Sequence, residues 1–301
     1  MARILFQTRS GSLSDGLKGR LKTPRKAETM KPKSLYRAAL LEYLYCASFT
    51  VDPAEARAAY RSYRQFAKKD CPDGWLGLGR ARQYGYGAKP NRAKAEKYYR
   101  RAAKLGHAEA QEALGCLYEF AEKPDYRRAR KWYARAAAQR SSDAPDAAYR
   151  LGYLYEKGLG GKKEIQTAYR LYLRAAQNGH ADAQRALGYL YEKGLGLPQN
   201  HAKARKWYTR AALQADATAC NNLGFLYYNG KGMRRSKKLA KKWYKLAARA
   251  GSIIALSNLG GLYEDAGRLK KAVRYYRRAA EAGNKYAAKQ LKRLDKKKSA
   301  Q

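Results

Sequence analysis

The chain has 301 residues and carries 65 Lys and Arg against 24 Asp and Glu, a formal net charge of +41 at 45% hydrophobic content. That hydrophobic fraction suffices for a core, so the charge does not by itself mean disorder. No run approaches the roughly 18 to 20 apolar residues of a membrane span, which argues against integral membrane association. Four Cys and three His exclude a disulfide scaffold or a zinc-finger array.

Residues 1–34 hold nine basic residues against Asp15 and Glu28, with scattered Gly and Ser and no sustained helical period. They read as a solvated, disordered basic arm; a mitochondrial-type presequence has the same Arg- and Ser-rich, acid-poor character. Met30 is an alternative start. The apolar run that follows it, Leu35 to Phe49, faintly resembles a secretory signal, but Arg37 and Glu42 interrupt it, and Tyr45 before Cys46 does not suit lipoprotein cleavage. The expected location is cytoplasmic, with mitochondrial as the alternative. Residues 35–74 read as a diverged helical hairpin that caps the array. Leu40, Leu41, Leu44 and Tyr45 form one stripe, Asp52-Pro53 starts a helix, and Tyr60, Tyr63 and Phe66 form the next stripe.

From 75 to 284 the chain repeats. Leu-Gly recurs at Leu78-Gly79, Leu114-Gly115, Leu151-Gly152, Leu187-Gly188, Leu223-Gly224 and Leu259-Gly260, with glycine intervals of 36, 37, 36, 36 and 36. Downstream of each pair comes an aromatic or apolar residue, then Tyr, then Ala-Ala two residues on, as in Trp207-Tyr208 with Ala211-Ala212. Each copy holds two helical periods separated by a break. In the fourth, Ala183, Leu187, Leu190 and Tyr191 share one stripe, Gly194-Leu195-Gly196 breaks the chain, and Ala204, Trp207, Tyr208, Ala211 and Ala212 form the second stripe. A Gly inside a helix costs ~1 kcal/mol relative to Ala. Six in register therefore predict a neighbouring helix too close for a side chain. A hairpin that cannot bury its apolar face alone must stack on copies of itself. Residues 285–301 read as a C-terminal capping helix, through Leu291 and Leu294, and a basic tail.

The motifs Ala-x-Ala-x-x-x-Leu-Gly-x-x-Tyr, Gly-x-Gly and Lys-Ala-x-x-Trp-Tyr-x-x-Ala-Ala resemble the Sel1-like repeat, a relative of the tetratricopeptide repeat. Residues 181–214 fit best. The resemblance implies an all-α fold: a right-handed α-solenoid of stacked antiparallel helical hairpins, about six repeats of ~36 residues plus capping helices. It also implies a non-enzymatic protein–protein interaction scaffold or adaptor. Repeat two has Phe120-Ala121-Glu122 in place of Gly-x-Gly, and repeat six has a shortened break at Ala266-Gly267, so loop geometry is open at both.

Charge divides unevenly within the repeats. The second segments, taken as 91–104, 126–140, 162–177, 200–213, 234–249 and 268–281, hold 34 basic residues and only Glu96, Glu164 and Glu281 as acids; the rest of 75–284 holds nine basic and 13 acidic residues. In the related folds the first helix lines the concave surface and the second lies outside. That relation implies a basic convex wall and a mildly acidic, Tyr-rich concave groove. Candidate groove residues are Tyr149, Tyr153, Glu156, Arg185, Tyr189, Glu192, Asn221, Phe225 and Tyr228, some of which would instead fill grooves between helices. The partner expected there is one or more proteins. Candidate polyanion contacts are Arg127, Arg128, Arg130, Lys131, Lys203, Arg205, Lys206, Lys237, Lys238, Lys241, Lys242, Lys245, Lys270, Lys271 and Arg274. The alternative function is thus a module for RNA, a ribonucleoprotein, an anionic polysaccharide or a membrane surface. Such rows also occur simply as solvated faces.

No catalytic constellation is present. His107 and His180 follow Gly at one repeat position, two repeats apart at roughly 10 Å per layer, too far for a shared metal. They read as structural residues at helix starts, and His201 as a lone loop residue. Cys46, Cys71, Cys116 and Cys220 lack Cys-x-x-Cys spacing and fit reduced thiols in a reducing compartment. Gly158 to Lys163 superficially matches a phosphate loop without its strand. No enzyme activity, cofactor or metal is expected, and the chain is expected to be monomeric alone.

Overall fold

The computed structural model describes residues 52–139 and 145–299. The arm, the Met30 start, the Leu40 to Tyr45 stripe and Cys46 lie outside the described residues.

Fourteen helices run through the described residues: α1 Pro53–Lys68, α2 Pro72–Tyr84, α3 Arg92–Lys104, α4 Ala108–Glu119, α5 Tyr126–Ala138, α6 Pro145–Lys157, α7 Ile165–Gln177, α8 Ala181–Lys193, α9 His201–Leu213, α10 Ala217–Asn229, α11 Lys237–Arg249, α12 Ile253–Glu264, α13 Leu269–Glu281 and α14 Lys285–Ser299. The fold is an all-α repeat solenoid of stacked antiparallel helix pairs. Two compact units divide the described chain, one ending at Glu164 and the other beginning at Ile165.

Local chemistry sets many of the boundaries. Asn91, Asp125, Asn200 and Ser236 precede second helices, and each accepts a hydrogen bond from a backbone N–H of the first turn, at 2.8–3.2 Å. Gly194 closes α8 in the left-handed region at φ 69°, where a Cβ would be strained. Repeat two manages without that glycine because α4 stops one residue earlier, at Glu119, with Phe120 at an ordinary φ of −100°. In repeat six, Gly267 supplies the left-handed turn at φ 69°. His180 caps α8, its Nδ1 accepting from the Ala183 N–H at 3.2 Å, and His107 caps α4 through its backbone position alone. His201 corrects the sequence reading. It is the first residue of α9 and not part of a loop, because Asn200 takes the cap.

The repeated glycine meets a tyrosine ring. A Cβ on Gly188 would lie 2.5 Å from Tyr208, and the same clash recurs for Gly79 with Tyr99, Gly115 with Tyr133, Gly224 with Tyr244 and Gly260 with Tyr276. The two helices of a hairpin therefore approach until an aromatic ring fills the space a side chain would occupy. Burial pushes the Tyr133 and Tyr208 phenols far above their ordinary range, so each hydroxyl acts as a donor. Tyr133 donates to Glu119 at 2.6 Å and Tyr208 to Glu192 at 2.9 Å. Successive hairpins are tied by buried amides. Gln184 donates to the Ala176 carbonyl at 3.1 Å and accepts from Gln214 at 2.9 Å; Gln111, Ala103 and Gln139 repeat this in the first unit.

Both ends are closed by helices outside the repeats. Tyr63 and Phe66 of α1 are buried, as is Leu294 of α14, with Leu291 packed beside it. Along α11 the buried stripe is Ala240, Tyr244 and Ala247, with Leu239 exposed and Trp243 half-buried.

Candidate interaction surfaces

The first-helix groove candidates separate into two groups. Tyr189 and Phe225, at equivalent positions of α8 and α10, are 42% and 38% exposed, and the Lys193 and Lys231 ammonium groups lie 5.9 and 5.2 Å from their ring centres. Tyr153 holds the same repeat position in the first unit at 38% exposed, with Tyr149 half-buried one turn before it. Glu156 is half-buried and paired with Lys157 at 2.5 Å. Arg185 is held between Asp182 and Asp216, the latter at 2.9 Å. Tyr228 is half-buried, donates to Asp265 and lies under Arg235.

Glu192 and Asn221 are corrections. Both are buried. Glu192 accepts from Tyr208 and pairs with Lys193, and Asn221 accepts from Asn258 at 2.8 Å. They hold helices together and present no groove surface. The face that α8, α10 and α12 do present includes Thr218, Asn222, Ile254 and Asn258, which sequence reading passed over. Their spacing from the repeated glycine, six or two residues before it, is the signal that finds them.

On the second helices, most cations named from the sequence are exposed. Arg130 and Arg205 differ. Arg130 lies over the Tyr155 ring at 4.1 Å and donates to the Leu154 and Lys162 carbonyls at 3.0 and 2.9 Å, so it fastens a loop. Arg205, at the equivalent position, is half-buried. Lys241 is half-buried as well, while Lys237, Lys238, Lys242 and Lys245 are exposed. Counting from the buried tyrosine shows a regularity that the charge tally missed. The residue two before it is basic and exposed in all six repeats: Lys97, Lys131, Arg170, Lys206, Lys242 and Arg274. The residue two after it is Arg in five: Arg101, Arg135, Arg174, Arg210 and Arg278. Between them sits a half-buried aromatic in most repeats. Arg135 stacks over Trp132 at 4.7 Å and Arg210 over Trp207 at 4.5 Å.

No group of three His, Cys, Asp or Glu able to hold a metal occurs among the described residues. No described helix is long and apolar enough to cross a membrane. Cys71, Cys116 and Cys220 are free, and burial pushes the Cys220 thiol up to about 11.

Stacked helical pairs with small-residue contacts and cap helices define a tetratricopeptide-like repeat protein. The Sel1 repeat signature matches residues 76–107, 108–141, 145–180, 181–216, 217–252 and 254–284, and the chain belongs to the Sel1 repeat family. It is similar to a Sel1 repeat protein from Oxalobacter formigenes, at 31% identity and TM-score 0.67, covering 81% of this chain and 99% of that one. It is also similar to c5321, a protective antigen of uropathogenic Escherichia coli strains, at 26% identity and TM-score 0.74. That match covers 87% of this chain and 56% of the antigen. No curated protein matches the chain. Sel1 repeat proteins generally act as non-catalytic scaffolds that mediate protein–protein contacts.

Proposed function

We propose that this chain is a non-catalytic scaffold that binds a partner protein on the face formed by its first helices. The observation that carries this is the pair Tyr189 and Phe225. Two large aromatics stand exposed at equivalent positions of consecutive repeats, on helices whose Ala and Leu residues are buried in packing. Exposed aromatics with a polar surround are what recognition surfaces enrich. Tyr153 extends the pattern to the first unit. Free thiols at Cys71, Cys116 and Cys220 support action in a reducing compartment such as the cytoplasm. The test is affinity capture with and without nuclease, on the wild-type chain and on Tyr189→Ala with Phe225→Ala. A protein that survives nuclease and is lost from the double variant, at unchanged melting temperature, supports the reading. Unaltered capture by a folded double variant assigns the two rings elsewhere.

A second reading is favoured by the cation two residues before each buried tyrosine. Six exposed basic side chains at one repeat position form a row in each unit, and none of the six makes an ion pair among the described residues. A row of this kind is self-repulsive without counter-charge. A polyanion on the second-helix face relieves it, so the two faces serve different partners.

A further inference from the structure

The first repeat differs from most of the others at two neighbouring points. Asp70 stands where later repeats have Gly106, Gly179 and Gly251. It takes the same left-handed backbone, at φ 53°, which Asp tolerates better than most residues. Trp75 stands where later repeats have the buried Gln111, Gln184, Cys220 and Leu256. Asp70 then joins what these changes bring together. Its Oδ1 accepts from the Trp75 indole N–H at 3.3 Å, and both its oxygens accept from Arg101, at 2.9 and 2.8 Å. The Arg101 guanidinium holds the Asp70 carboxyl below the usual range, with the Trp75 bond adding to the effect.

Trp75 is thereby fixed against Tyr98, ring centres 5.7 Å apart and planes tilted by 33°. The two rings line an open cavity of about 750 Å³ whose other lining residues include Glu96, Lys97, Arg101 and Lys104. That volume lies in the range of small-ligand clefts. Lys97 and Lys104 are exposed and make no ion pair among the described residues, and Glu96 on the same helix is occupied by Arg100 and Tyr118. The cavity thus joins an aromatic floor to a cationic rim.

We propose that this cavity holds one nucleotide of a single-stranded nucleic acid, its base stacked on Trp75 and Tyr98 and its flanking phosphates on Lys97 and Lys104. The proposal rests on the polyanion reading of the second-helix face and names its partner. Aromatic platforms beside a positive track are how single strands are bound without sequence preference. A duplex keeps its bases inside its own stack, and a sulfated polysaccharide has no aromatic ring to stack on the indole. The exposed second-helix cations of the same unit receive the rest of the strand's charge.

The experiment is fluorescence anisotropy with the full chain at ~50 mM salt, using a labelled oligothymidylate of roughly 12 nucleotides, a length within the usual site sizes. The matching duplex, heparin and thymidine monophosphate are the comparison ligands. The single strand is expected to bind more tightly than the duplex and far more tightly than the mononucleotide. Trp75→Leu and Tyr98→Leu should each weaken it roughly 5- to 150-fold, the loss that follows removal of a stacking ring, with heparin affinity unchanged. Where Trp75→Leu lowers the melting temperature, Tyr98→Leu and the exposed pair Lys97→Gln with Lys104→Gln decide. The lysine pair should reduce the salt slope by about 1.4, two contacts at ~0.7 each. Single-strand binding indifferent to these variants, or lost in step with heparin binding, overturns the cavity while leaving the basic face intact. Mononucleotide binding as tight as the oligomer's overturns the strand as ligand. No binding to strand, duplex or heparin overturns the polyanion reading and the cavity with it.

Discussion

Glu112 offers the sharpest quantitative test of the first unit. It lies half-buried on α4, and burial pushes its carboxyl up from 4.5 to about 7, with Asp146 of α6 and Glu109 of its own helix adding to the rise. Arg150 and Arg80 oppose it, but each has a nearer carboxylate, Glu119 at 3.5 Å and Glu109 at 3.0 Å. The folded protein therefore binds a proton here more tightly than the unfolded chain does. The stability linked to that proton is fully present below pH 4.5 and is lost as pH rises through 7. A gap of 2.5 units, about 7 less 4.5, at ~1.4 kcal/mol per unit places the full cost of the charged form at roughly 3 to 4 kcal/mol at most. Glu112→Gln keeps the shape and removes the charge. Urea unfolding of the variant and the wild type at several pH values between about 4.5 and 8 reads the difference, because every other titrating group cancels. The variant should gain on the wild type steadily above about pH 5, reaching a few kcal/mol by pH 8. Parallel curves across that range, or a Glu112 carboxyl titrating near 4.5 by carbon NMR, refute the reasoning.

Two further outcomes are expected. Gly188→Ala should lower stability by ~1–3 kcal/mol through overpacking on Tyr208, despite the ~1 kcal/mol by which Ala is favoured in a helix; Tyr208→Leu in the same chain should recover part of the loss, and a wild-type melting curve for Gly188→Ala would remove the close contact as the reason for the glycine. Lys206→Glu, Lys242→Glu and Arg274→Glu together should flatten the salt dependence of heparin or oligonucleotide binding by two units or more without unfolding the chain, since all three side chains are exposed. An unchanged slope in a folded triple variant would place the polyanion elsewhere.

The architecture was legible because a repeat multiplies a weak local signal. One Leu-Gly pair says little, whereas six at nearly constant spacing set the hairpin, the break and the tight helix contact. The glycine's neighbour was inferred from the cost of Gly in a helix, but its identity was not, since Tyr208 lies in the next helix and nothing local marks it. Glu192 and Asn221 misled for a related reason. A carboxylate or amide reads as exposed until its partner is known, and the partners, Tyr208 and Asn258, are 16 and 37 residues away. Charge tallies found the basic helices but not their pattern. That needed a count from the buried tyrosine, which separates Arg130, fastened over Tyr155, from Lys131 beside it. The cavity at Trp75 was missed because pattern matching looks for agreement, and the site is made of departures from the repeat.

The split between the two helix sets has a structural cause in how the few acids are used. Asp125 and Asp216 cap helices, Glu192 and Glu119 receive buried tyrosine hydroxyls, Glu264 pairs with Arg293 and accepts from Tyr276, and Asp182 and Asp216 fix Arg185. Most of these acids sit on first helices or at helix starts, where the fold needs acceptors. Second helices meet their neighbours through Ala and Tyr, and the carboxylates that receive those Tyr hydroxyls lie on the first helices. Their outer positions are thereby free of any packing demand, and all six repeats place a cation two residues before the buried tyrosine. Folding alone would be served equally by Glu or Gln there, both good helix formers, and with less repulsion at a net charge of +41. An anionic partner on that face, as proposed above, would account for these cations.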